Sequence, residues 1–207
     1  MDSSVVHSLF SFLTQNIFNI IYIFAAIELY LVIAVFFMMK KHEHSLLDAT
    51  DNLLKGFADA PDKDSSQHSH EKIQNALQFI TNKIAQNGEL KKEFCKNAGR
   101  VNERPVFGRH YKIEVFASLM STLVQIFPLL GILGTILAIA ETAFQSGGQI
   151  DVSSLSNAFV LAMDTTILGI TFSILFMLVE SALQPKIERV INESHEYRSI
   201  LSSIYLS

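Results

Sequence analysis

The chain has no tryptophan, a single cysteine, and only 17% charged residues among its 207. A soluble domain of this size carries about 25% charged residues, so much of the chain is not built to face water. One cysteine, Cys95, excludes an internal disulfide framework. The formal net charge of -4, with no basic patch interleaved with aromatics, speaks against a nucleic-acid partner. No glycine-rich phosphate loop, Ser/His/Asp set or Cys/His pair is visible, which points away from an enzyme and from a bound cofactor. Basic residues are missing from residues 1–39 altogether. The apolar run that follows residue 16 is too long for the core of a cleaved signal peptide, so it is expected to stay in the mature protein.

What the chain does have is long apolar runs. A hydrocarbon core of ~30 Å takes about 20 helical residues. Three segments qualify: Ile17 to Met39, broken only by Glu28; Val115 to Ala140, with no charge; and Leu155 to Val179, broken only by Asp164. Backbone groups in lipid must be satisfied within their own segment, so each is expected to be a helix. All 16 Lys and Arg fall between Lys40 and Lys112 or after Gln184. Basic residues stay on the cytoplasmic side. The N-terminus and the Gln145–Ser154 loop are therefore expected outside, and the middle segment and C-terminus inside.

The polar segments carry helical periodicity of their own. Ile73, Leu77, Ile80 and Ile84, widened by Ala76 and Phe79, form an apolar stripe from Glu71 to Gln86. Leu46, Leu47, Leu53, Leu54 and Phe57 extend the first span inward as an amphipathic helix, and Ile187, Val190, Ile191, Ile200 and Leu201 mark another after Pro185. Residues 58–70, with Pro61 and several Ser and Asp, read as a loop. The fold class is thus an all-α membrane protein, its three spans extended into a cytoplasmic helical bundle; a partly disordered loop is the alternative for that region. Four segments result: 1–40, outward N-terminus and first span; 41–113, cytoplasmic helical region; 114–184, second and third spans; and 185–207, C-terminal cytoplasmic helix.

Two spans bear a face of small residues. Gly131, Gly134, Thr135 and Ala138 share one face of the second; Ala162, Thr166, Gly169 and Ser173 share one face of the third. Such faces let helices approach closely and bond through hydroxyls. Packing alone would account for them, and so would the lining of a narrow polar path.

The stretch Pro128 to Thr135 resembles the PxxGxxGT signature of the MotA/TolQ/ExbB proton-channel family, and Ala162 to Gly169 resembles the TxxG segment of its last membrane helix. Three spans, an outward N-terminus and a long first connector are closest to the TolQ/ExbB branch. The resemblance implies a pentamer around two copies of a single-span partner of the ExbD/TolR/MotB type that carries an ion-binding Asp. It further implies a stator that uses proton or sodium flow in the bacterial inner membrane to energise that partner's action on the envelope. By motif position Thr135 and Thr166 would be ion-path hydroxyls, with Thr165 beside them. Two positions depart from the pattern: Leu161 stands where the branch usually has Glu, and Leu175 where it usually has Pro. A scaffold or sensor that oligomerises through its small faces, without conducting ions, is the alternative function.

Carboxylates inside spans are costly, by ~2.5–3.5 kcal/mol on insertion scales. Asp164 lies about 200° round the helix from Thr166. It either joins the ion path in place of the missing Glu or bonds a neighbouring helix. Glu28, near the middle of the first span, is either a functional protonatable group or a carboxyl holding helices together. His42 and His44, like His68 and His70, form H-x-H pairs without a third or fourth metal ligand and are expected to be solvated.

Overall fold

The structure, a computed structural model, describes residues 3–55, 57, 68–86, 88–98, 104–145 and 152–205. They form five helices: α1 (Ser3–Leu53), α2 (Ser69–Gln86), α3 (Gly88–Ala98), α4 (Arg104–Gln145) and α5 (Val152–Tyr205). Among the described residues there is no strand, and α1, α4 and α5 are long and apolar enough to cross a membrane. At 1.5 Å per residue α1 rises about 75 Å, more than twice a hydrocarbon core. Only part of it lies in lipid, and its inward extension reaches Leu53 as the apolar pattern predicts. Of the loops read at 58–70 and 145–154, residues 58–67 and 146–151 lie outside the described residues, while Ser69 and His70 already belong to α2, Gln145 to α4 and residues 152–154 to α5.

The amphipathic segment read after Pro185 extends the third span, and α5 runs unbroken through the proline. Proline denies the carbonyl four residues back its amide partner. That carbonyl belongs to Ser181, which is exposed, as Pro185 is, so an outside donor can reach it and the helix need not end.

The chain divides into two units. The apolar unit takes residues 1–33 and 118–182. In it Ile17, Ile21 and Ala25 pack with Phe127 and Leu137, and Phe172 and Phe176 complete the cluster. Phe127 stacks on Phe176 with ring centroids 5.5 Å apart. Within α4, Pro128 takes the amide from the Val124 carbonyl, and the Ser173 hydroxyl of α5 donates to that carbonyl at 3.2 Å. An orphan acceptor in an apolar setting is thereby satisfied from the neighbouring helix. Large apolar side chains such as Tyr30, Leu129, Ile136 and Phe159 remain exposed around this unit, as a surface meant for lipid or other subunits requires.

The polar unit takes residues 34–117 and 183–207. Its core joins Leu46, Ala49 and Leu53 of α1, Ile73, Leu77 and Ile80 of α2, Phe94 of α3, and Tyr197, Ile200 and Leu201 of α5. The stripes read from the sequence supply most of it. Helix α3 was not among them, yet its Phe94 is fully buried and stacks on Phe57 at 4.2 Å. His42 corrects an expectation. Far from being solvated, it is fully buried, with Nε2 2.6 Å from the Ser194 hydroxyl, which itself reaches the Val190 carbonyl. His44 and His68 are exposed as expected.

Candidate functional site

The two small faces meet each other, within one chain. A Cβ placed on Gly131 would lie 3.0 Å from the Thr166 Cα, and one on Gly169 would lie 2.5 Å from the Phe127 carbonyl oxygen. Neither position has room for a side chain, so α4 and α5 touch backbone to backbone there. That approach brings Thr135 and Thr166 together, with their hydroxyl oxygens 2.8 Å apart.

The hydrogen-bond pattern limits what the pair can bind. The Thr135 hydroxyl also lies 3.2 Å from the Gly131 carbonyl and 3.3 Å from that of Ala162, and the Thr166 hydroxyl lies 3.3 Å from the Gly131 carbonyl. A hydroxyl has one hydrogen and two lone pairs. If one threonine donates to the other, the second donates to a carbonyl, and both hydrogens are engaged. Only lone pairs remain to meet a visitor. The pair therefore suits a hydronium, a metal cation or a protonated carboxyl, and offers nothing to an anion.

Both threonines line a groove of about 750 Å³ whose other walls are almost wholly apolar, among them Ile139, Phe159, Met163 and Ile167. Ser156, Phe159, Ala162 and Thr166 recur at intervals of three, three and four, which carries the Thr166 face along α5. That spacing was legible in the sequence, although Ser156 and Phe159 were not singled out there.

The other expected site residues fall in different places. Thr165 is fully buried, bonded to the carbonyls of Leu161 and Ala162 in its own helix, and a Cβ on Gly134 would lie 2.6 Å from its hydroxyl. Its place is the α4–α5 contact, not the groove. Ala138 and Ala162 pack with Ala158 and Leu161, and Ser173 holds the Val124 carbonyl. Asp164 is exposed, away from the threonine pair, as its angle on the helix predicts. Glu28 is fully buried, and neither of its oxygens has a hydrogen-bond partner among the described residues.

A family model described as the MotA/TolQ/ExbB proton channel family matches residues 47–196. No curated protein and no solved structure matches the chain.

Proposed function

The chain belongs to the MotA/TolQ/ExbB proton channel family, and from that premise we propose that it is the stator subunit of an ion-driven rotary motor in the bacterial inner membrane. The observation that carries this reading is the Thr135–Thr166 hydroxyl pair at 2.8 Å, set in an otherwise apolar groove. Burying an ion without polar partners costs several kcal/mol, and this pair supplies acceptors where α4 and α5 converge. Five copies surround two single-span partners of the ExbD/TolR/MotB type, whose carboxylate exchanges a proton, or a sodium ion, opposite the threonines. The apolar groove walls suit the rest of such a helix. The N-terminus lies outside and the C-terminus in the cytoplasm, where the basic residues are. Asp164, exposed on the far side of α5, serves contacts outside the groove or a second carboxylate on the path.

The alternative, a scaffold whose small faces drive oligomerisation, is weakened by the use of those faces within the chain. Gly131, Gly134 and Gly169 meet α5 or α4 of the same molecule. The test is ion flux in liposomes holding the complex of this chain with its single-span partner. Thr166→Val should cut gradient-driven flux about tenfold to a hundredfold while native mass spectrometry still shows the pentamer. If both threonine variants conduct normally with partner bound, the path is wrong.

A further inference from the structure

A second cavity, of about 530 Å³, lies in the polar unit and has a composition unlike the groove. One wall is apolar: Phe36 and Met39 close the apolar run of α1. The next residue, Lys40, also lines the cavity and holds its ammonium 5.1 Å over the Phe36 ring. Opposite stand Lys186 and Arg189, the first two basic residues after the third span. Both are exposed, and Arg189 is within electrostatic reach of Glu193 in the same cavity. The start of α2 at Ser69 completes the wall and brings the positive end of an 18-residue helix to it.

Two acids are also present. Glu43 is partly exposed, whereas Glu193 is 4% exposed and its Oε1 has no hydrogen-bond partner among the described residues. Burial, and then the charge of Glu43, push the Glu193 carboxyl up to about 7. Near neutrality it therefore holds its proton in a large share of molecules. A protonated carboxyl is a donor in need of an acceptor.

We propose that this cavity binds the phosphate of an anionic phospholipid headgroup at the basic ends of the spans. Lys40, Lys186 and Arg189 meet the phosphate charge, the Glu193 hydroxyl donates to a phosphate oxygen, and Phe36 and Met39 receive the glycerol and upper acyl carbons. Basic pockets between helices at this depth have the geometry for such headgroups. The apolar wall favours a lipid over a free phosphate, which would gain nothing from it. The inference stands apart from the ion path and survives if that path is wrong.

The test uses the assembled protein, stripped of lipid in detergent and offered phosphatidylglycerol or phosphatidylcholine, with retention read by native mass spectrometry. The expected result is preferential retention of phosphatidylglycerol. Lys186→Gln with Arg189→Gln should weaken it about tenfold to thirtyfold, while Lys186→Arg with Arg189→Lys keeps it. Should the double glutamine variant not assemble, Lys40→Gln on the other wall serves instead, with a loss of about fivefold. Equal retention of the two lipids, or glutamine variants that hold phosphatidylglycerol as the parent does, would overturn the site. Inorganic phosphate displacing the lipid at equal concentration would overturn the lipid as its source.

Discussion

The hydroxyls of Thr135 and Thr166 stand 2.8 Å apart although 31 residues and a change of helix separate them. Valine keeps the shape of threonine and removes the oxygen. In Thr166→Val the Thr135 hydroxyl still has the Gly131 and Ala162 carbonyls to donate to, so folding and assembly should be unaffected. A hydrogen bond to a charged group is worth about 1.5–3 kcal/mol. Gradient-driven flux should accordingly fall about tenfold to a hundredfold, less for Thr135→Val, and Thr166→Ser should restore most of it. Parent-like flux in Thr166→Val would remove the hydroxyl from the mechanism.

The glycine contacts separate two kinds of crowding. In Gly134→Ala the new methyl meets the Thr165 side chain, at 2.6 Å from its hydroxyl and 2.7 Å from its Cβ. In Gly169→Ala it meets the Phe127 backbone oxygen. Overpacking costs about 1–3 kcal/mol. Thr165→Gly should rescue the yield and melting temperature of Gly134→Ala, whereas no side-chain replacement should rescue Gly169→Ala. Equal rescue of both would mean that α4 and α5 are farther apart than described.

Asp164 is exposed, so Asp164→Asn should change the stability of the chain by no more than about 0.5 kcal/mol. Loss of flux with the pentamer intact by native mass spectrometry would put the carboxylate on the ion path. Loss of the pentamer itself would assign the carboxylate to a contact between subunits.

The pH dependence of stability should carry the signature of Glu193, which lies beyond the third span. Burial first, then Glu43, and also Glu196, raise its carboxyl from 4.5 to about 7, with Arg189 opposing. Lys40, Lys186, His68 and His70 line the same cavity. Between those two values the folded state binds more protons than the unfolded one, so stability falls as pH rises from about 4.5 to 7. The contribution is at most about 3 kcal/mol. Glu193→Gln removes it, and its melting temperature should exceed the parent's by a margin that grows from pH 5 to pH 8. A margin independent of pH would refute the assignment.

Orientation is open to labelling. In a Cys95→Ser background, cysteines at Ser3 and Ser146 should react with a membrane-impermeant maleimide from the periplasmic side. Reaction only after the cells are opened would invert the topology.

The spans and the threonine face were legible because both depend on local spacing: apolar runs, and small residues three and four apart. Asp164 was legible for the same reason, since its angle from Thr166 follows from helix geometry alone. Thr165 was not. One residue turns the helix by about 100°, and whether that points it at a groove or at Gly134 depends on how α4 and α5 are set against each other. His42 shows the same gap over a longer range. Beside Lys40, Lys41 and Glu43 it looks solvated, and only Ser194, 152 residues away, makes it a core residue. Helix α3 escaped notice because its charged face hides a single strong anchor, Phe94. The lipid cavity draws on residues near 40, 70 and 190, which no local pattern joins.

The bond from Ser173 to the Val124 carbonyl has a historical consequence. Ser173→Ala is harmful only while Pro128 stands, because then the carbonyl loses its one donor; an unsatisfied buried group costs about 1–3 kcal/mol. With alanine at 128 the helix amide returns and the serine becomes redundant. The two positions are therefore not free to drift in either order: a lineage can give up the proline first and the serine afterwards, but the reverse route passes through a damaged intermediate. A double-mutant cycle would register this as a coupling of the same size as the lone Ser173→Ala defect.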